Sequence, residues 1–93
     1  MTNFKINDVV LINSTLSIGI IIDKGQDPNG QKWFRTDAEG VREAHELSKV
    51  DSVECLRDAQ YNGYLVAPST FTNIVSQDLL PSTVTEESLL LTV

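Results

Sequence analysis

Four isoleucines in five positions, Ile18, Ile20, Ile21 and Ile22, dominate the segment Ser17 to Lys24 (SIGIIIDK), and this run constrains the fold more than any other part of the chain. Branching at Cβ stiffens the side chain and crowds a helix, whereas the same shape packs well on a pleated surface, so the segment reads as a strand. A second short β-branched run, Asp8 to Asn13 (DVVLIN), precedes it. Gly19 interrupts the isoleucines and predicts a bulge or a close backbone approach. Directly afterwards, Gly25-Gln26-Asp27-Pro28-Asn29-Gly30 concentrates residues that adopt turn angles, so the chain reverses there.

The return strand is Gln31 to Asp37 (QKWFRTD). Side chains alternate along a strand, so the adjacent Trp33 and Phe34 point to opposite faces, one into the core and the other toward solvent. A second reversal at Ala38-Glu39-Gly40 leads to Val41–His45, after which Glu46-Leu47-Ser48-Lys49 reads as a single helical turn. Val50 to Leu56 reads as the closing strand. Beyond Arg57 charged residues thin out. Pro68-Ser69 opens a helix over Thr70 to Leu80, capped by Ser69 or Thr70, with Phe71, Ile74, Val75 and Leu79 on one face and Pro81 ending it. Thr83 to Val93 carries a capping-type Thr83-Val84-Thr85-Glu86 and the apolar run Leu89-Leu90-Leu91-Thr92-Val93, and reads as a frayed helix or as a strand docked on a sheet edge.

Ninety-three residues at 41% hydrophobic composition support one modest core. The expected organisation is mainly β over residues 1–58, followed by a partly helical extension over 59–93 that packs on the first part or on a partner. The formal net charge of −6 repels phosphate backbones and anionic membranes, and suits a basic protein partner. Nucleic acid and membrane are therefore disfavoured as partners. The single Cys55 allows no disulfide within the chain, and a reducing compartment is expected. No basic-then-apolar leader opens the sequence and no apolar run is long enough to span a bilayer. Asn13-Ser14-Thr15 fits a glycosylation sequon but reads as a polar turn.

Five short strands, a turn at roughly every tenth residue and a one-turn helix before the last strand describe a small five-stranded SH3-like barrel. Particular residues resemble Tudor- and KOW-type domains of that group. Phe4-Lys5-Ile6-Asn7-Asp8-Val9-Val10 resembles their opening hydrophobic-x-x-G-D-x-V, with Asn7 where glycine is usual. Ile18-Gly19-Ile20-Ile21-Ile22-Asp23 resembles their second strand, Gln31 to Arg35 falls where they carry a strand with an aromatic, and Glu46-Leu47-Ser48-Lys49-Val50 resembles their closing E-L-x-x-V. The match covers residues 4–54. The chain is also similar to small domains in short proteins of tailed bacteriophages in its length, its acidic balance and its Thr-rich tail. That similarity implies a virion accessory part or an effector that docks on a host protein, located in the host cytoplasm or in the virion.

A barrel of this kind does not specify a function, so candidate sites rest on residues. An aromatic cage would need several convergent rings. Phe4, Trp33, Phe34, Tyr61, Tyr64 and Phe71 are the available ones, and core packing with one exposed aromatic accounts for them better. Lys24, Lys32 and Arg35 around the Gly25–Gly30 turn are the candidate nucleic-acid contacts of a KOW-like alternative, although the interleaved charges suit cross-strand pairing. His45 and Cys55 supply the residue types of a base and a thiol nucleophile with no supporting spacing, and Cys55 reads instead as a small apolar residue on a strand. Asp23, Asp27 and Asn29 mimic part of a calcium loop without its distal glutamate, and a hairpin turn explains them. No catalytic residue, metal or cofactor is expected. The expected activity is non-catalytic protein binding or assembly, with another protein or a second copy. Its anchors are Trp33 or Phe34 together with Leu89, Leu90, Leu91 and Val93, the last group adding a strand to an exposed edge or covering the protein's own barrel.

Overall fold

The isoleucine run becomes the longest strand of a mainly β structure. The structure is a computed structural model of the chain and describes residues 4–38 and 40–81. In chain order it contains β1 (Val9–Ile12), β2 (Ser17–Gln26), β3 (Lys32–Thr36), β4 (Val41–Glu43), a 3₁₀ turn (Ala44–Glu46), β5 (Leu47–Val50), α1 (Val53–Tyr61), β6 (Leu65–Val66) and α2 (Pro68–Ser76). The sheet has the order β4-β3-β2-β1-β5 and does not close, while β6 lies parallel to the first residues of β2. All other pairings are antiparallel. Among the described residues no helix is long and apolar enough to cross a membrane.

Strand β2 changes partners along its length. Ser17–Ile20 pair with β1, and Ile21–Gln26 pair with β3. The register slips between Ile21 and Asp23, so Ile22 is the extra residue of a bulge and lies exposed. The close approach predicted at Gly19 is present beside it. A Cβ there would stand 3.0 Å from both Cβ and Oγ1 of Thr36, tighter than side chains normally tolerate.

The bend gives the sheet two buried sides. Phe4, Val10, Ile12, Ile21, Phe34 and Leu47 pack inside its curl. Val9, Ile18, Ile20 and Val50 face the other way and are covered by Leu56 and Ala59 of α1, Ile74 of α2, and Leu80. Residue 58, the expected division of the chain, falls within α1.

Three elements differ from the sequence expectation. Val50–Leu56 is not one strand: β5 stops at Val50, and Ser52 caps α1 by accepting a 3.1 Å hydrogen bond from the Cys55 amide. Val53, Leu56 and Ala59 recur every third residue because they form one helical face against the core. Cys55 therefore sits on a helix, half-buried. The single turn lies at Ala44–Glu46, earlier than expected, and Leu47–Lys49 belong to β5. Helix α2 begins at Pro68, whose missing N–H is no loss in a first turn, and ends at Ser76.

Thr70 is free of capping duty and takes another role. Its hydroxyl, on a residue only 2% exposed, donates a 2.7 Å hydrogen bond to Oδ2 of Asp37. Oδ1 of the same carboxylate accepts the Ile20 amide at 2.7 Å, and the Asp37 amide donates to the Ile20 carbonyl at 3.0 Å. Asp37 thus supplies one more rung where β3 has ended, and clips α2 to it.

Asn7, which stands where the resemblance expects glycine, has φ 75°. Its amide donates to the Ile21 carbonyl at 2.8 Å, which fixes the turn before β1. Asparagine enters this left-handed region more readily than other residues with a Cβ. Asn7→Gly is expected to leave the melting temperature within a few degrees of wild type. Asn7→Val should cost about 1–2 kcal/mol, which lowers Tm by about 5–10 °C in a domain of this size. Differential scanning calorimetry of the two variants checks this, and equal melting points would show that the left-handed turn is absent.

The carboxylate clip makes a separate prediction. Thr70→Val and Asp37→Ala should each destabilise by about 1–2 kcal/mol. The double variant should cost less than the sum, because both remove the same bond. Urea denaturation of the four proteins measures the coupling, and strict additivity would show that the two side chains do not interact.

Candidate functional site

The turn Asp27–Gln31 is held by its own residues. The Gly30 amide donates to the Asp27 carbonyl at 2.9 Å, the Gln31 amide to Asn29 Oδ1 at 3.3 Å, and Gln26 Nε2 to the Gly30 carbonyl at 2.8 Å. Gly30 has φ 89°, which a glycine adopts without strain. Asp23 Oδ1 accepts the Lys24 amide at 2.9 Å. The oxygens that resembled part of a calcium loop on Asp23 and Asn29 are thus turned onto neighbouring backbone. No group of metal-binding side chains assembles among the described residues.

This turn sets Trp33 opposite Gly25. A Cβ on Gly25 would fall inside the indole, overlapping Cζ2 and Cε2, so the ring lies across the strand only because residue 25 is glycine. Trp33 is half-buried but belongs to neither core cluster. Phe34, on the other face, is 1% exposed and meets Phe4 edge to face, with centroids 5.3 Å apart at 88°. Of the two aromatic anchors suggested by the sequence, Trp33 is thus the accessible one.

The hairpin register places Glu43 opposite Trp33, and Val41 opposite Arg35. With Asp27, Gln31 and Glu46 these residues line an open cleft of about 450 Å³. Glu46 Oε2 accepts the Glu43 amide at 2.9 Å, which fixes its carboxylate at the edge of the cleft. Glu43 Oε2 lies 3.3 Å from Nδ1 of the exposed His45. The lining carries three carboxylates and one guanidinium around an indole, so the cleft favours a cationic or mixed cationic and apolar group over an anion. Its acidic members were not singled out from the sequence. No local signal marks them: counting pairs outward from the expected Ala38–Gly40 reversal sets Glu43 across from Arg35 rather than Trp33.

The alternative basic set is divided. Lys24 stands opposite Phe34, and Lys32 lies two residues before Phe34 on the same face. The two lysines line a shallow pocket of about 250 Å³, and Lys24 Nζ donates to the Phe4 carbonyl at 3.3 Å. Arg35 points to the Trp33 face, where the register sets it across from Asp23. The remaining aromatics do not form a cage with Trp33: Tyr61 stands 92% exposed on α1, and the Tyr64 hydroxyl donates to Asn13 Oδ1 at 2.9 Å. His45 projects from the 3₁₀ turn, whereas Cys55 packs against the cluster beneath α1, and no hydrogen bond joins them among the described residues. The expected anchors Leu89, Leu90, Leu91 and Val93 lie outside the described residues.

Trp33 is the only tryptophan. Gly25→Ala should displace the indole from the strand and shift its fluorescence emission to longer wavelength, with the far-ultraviolet circular dichroism retained. Unchanged emission would show that the ring does not rest on residue 25.

Comparison with family models, with curated protein sequences and with solved structures finds no match to this chain.

Proposed function

We propose that this chain is a non-catalytic protein-binding or assembly module, built on a small SH3-like barrel, that receives a basic segment of a partner protein on the Trp33 cleft. The observation that carries this reading is the placement of the indole. It is held over Gly25, outside both core clusters, in an open cleft whose charged lining is three carboxylates to one guanidinium. A large rigid aromatic in a partly desolvated depression is the kind of residue that dominates protein interfaces. A ring face beside carboxylates attracts a lysine or arginine side chain. The net charge of −6 steers the same partner at long range.

The barrel reading is supported by the strand order β4-β3-β2-β1-β5, by the sharing of β2 between two sets of partners, and by the single 3₁₀ turn before β5. An assembly or host-docking role in a tailed phage, in the host cytoplasm or the virion, rests on the sequence resemblance alone. The division of Lys24 and Lys32 from Arg35 counts against the KOW-like nucleic-acid alternative.

The test uses the full chain as bait in a lysate or virion extract, beside Trp33→Ala and a Lys24→Glu, Lys32→Glu double variant. The reading expects a basic protein that the wild type and the lysine variant retain. Trp33→Ala should weaken its binding about 30-fold, the effect of losing a hot spot near 2 kcal/mol. Nucleic acid retained by the wild type, released by salt and lost in the lysine variant would instead establish the KOW-like alternative.

A further inference from the structure

We propose that the groove between α1 and α2 is the seat of the chain's own segment Leu89–Val93, folded back onto it within the same molecule. The groove holds about 420 Å³ and is lined by helical faces, at i, i+3, i+4 and i+7 on α1 and at i, i+3 and i+4 on α2, with Asp78 just beyond the end of α2. Its floor is Leu56, Ile74 and Leu80, each at most 6% exposed. Its walls carry the apolar Phe71 and Val75, which are 45% and 64% exposed. Two amphipathic helices that share such a cleft fit a third apolar element laid between them.

Three features identify the occupant. The described chain ends at the mouth of the groove: Leu80 is part of the lining, and the Pro81 carbonyl accepts the Val53 amide at 3.0 Å where α1 starts. Seven residues, 82–88, then separate this point from Leu89. Extended, they reach about 23 Å, against about 14 Å for the length of α1, so the leucines can be set anywhere along the cleft. Finally, the tether carries Glu86 and Glu87 ahead of the leucines, and the groove offers the cation Arg57 on the α1 side, with Asp78 on the opposite side. A tether this short gives an effective concentration in the millimolar range, so the segment outcompetes a second copy at ordinary protein concentrations. Strand addition at a sheet edge is the weaker destination, because β4 and β5 offer only 3 and 4 residues and carry Arg42, Glu43 and Lys49.

Amide hydrogen exchange, followed by NMR on the full 93-residue chain, tests this. In the wild type the amides of Leu89, Leu90 and Leu91 should exchange more slowly than in an unstructured peptide by about tenfold or more. That protection should be the same at low and high protein concentration, with a monomeric mass. Val75→Asp, a change at an exposed wall position, should abolish it while the Val10 and Ile20 amides stay protected. Leu90→Asp should do the same from the other side of the contact. Unprotected leucine amides in the wild type would overturn the proposal, as would protection that survives Val75→Asp. Protection that appears only with a dimeric mass would assign the groove to a second copy and overturn it equally.

Discussion

Strand β2 donates and accepts hydrogen bonds along two different neighbours, and the rest of the architecture depends on the point where it switches. A straight strand of 10 residues would hold β1 and β3 on opposite edges of one flat sheet. The extra residue at Ile22 bends it, so that its first half belongs with β1, β5 and β6, and its second half with β3 and β4. Gly19 makes the bend sterically possible by leaving room for Thr36. The curl that results encloses Phe4, Phe34 and Leu47 on one side and presents Val9, Ile18 and Val50 to the helices on the other. A β-branched residue at position 19 would close the space that β3 occupies, and both cores would lose their common wall.

The carboxylate of Asp37 joins the two halves at that same point. Beyond Thr36 the Asp37 amide still pairs with β2, through the Ile20 carbonyl, and the Ile20 amide is left to be satisfied by something other than backbone. Asp37 meets it with one oxygen and holds Thr70 with the other, so the position of α2 is referred to the bend in β2 rather than to a helix neighbour. This accounts for a buried threonine in the first turn of α2, where the sequence suggested a cap. Hydrogen bonds of this kind join residues 17 and 33 positions apart and leave no local trace in the sequence.

The legible parts of the fold were those set by local chemistry. The isoleucine run, the glycine-rich turn and the opposed faces of Trp33 and Phe34 follow from branching, backbone freedom and a period of two. Strand β1 was legible only as apolar, because Val9 and Val10 enter different cores, so the alternation that marks a half-exposed strand is missing. Val50–Leu56 misled for the opposite reason. Its spacing of three straddles a boundary, with Val50 closing a strand and Val53 opening a helix, and Ser52 is the only local sign of the change. At the site, Trp33 stood out as an aromatic, but its acidic surroundings come from β4 and the 3₁₀ turn and emerge only once the hairpin register is known.

The placement of Trp33 keeps the proposed contact apart from the packing that folds the chain. Its neighbours across the hairpin are Gly25 and Glu43, neither of them a member of a core cluster, and the cleft is built on the solvent side of β3 and β4. The residue that adjoins it in sequence, Phe34, carries the packing load through its contact with Phe4. Two adjacent aromatics thus lie in different surroundings, Phe34 buried against Phe4 and Trp33 half-buried outside both clusters, and only the second leaves ring surface for the proposed contact. The glycine at position 25 completes the arrangement: it gives the indole a backbone surface to lie on, which leaves the ring half-buried on the cleft. A cleft organised in this way can change its lining charges without disturbing the core, because those charges sit at the ends of short strands and turns rather than on the walls that β2 holds together.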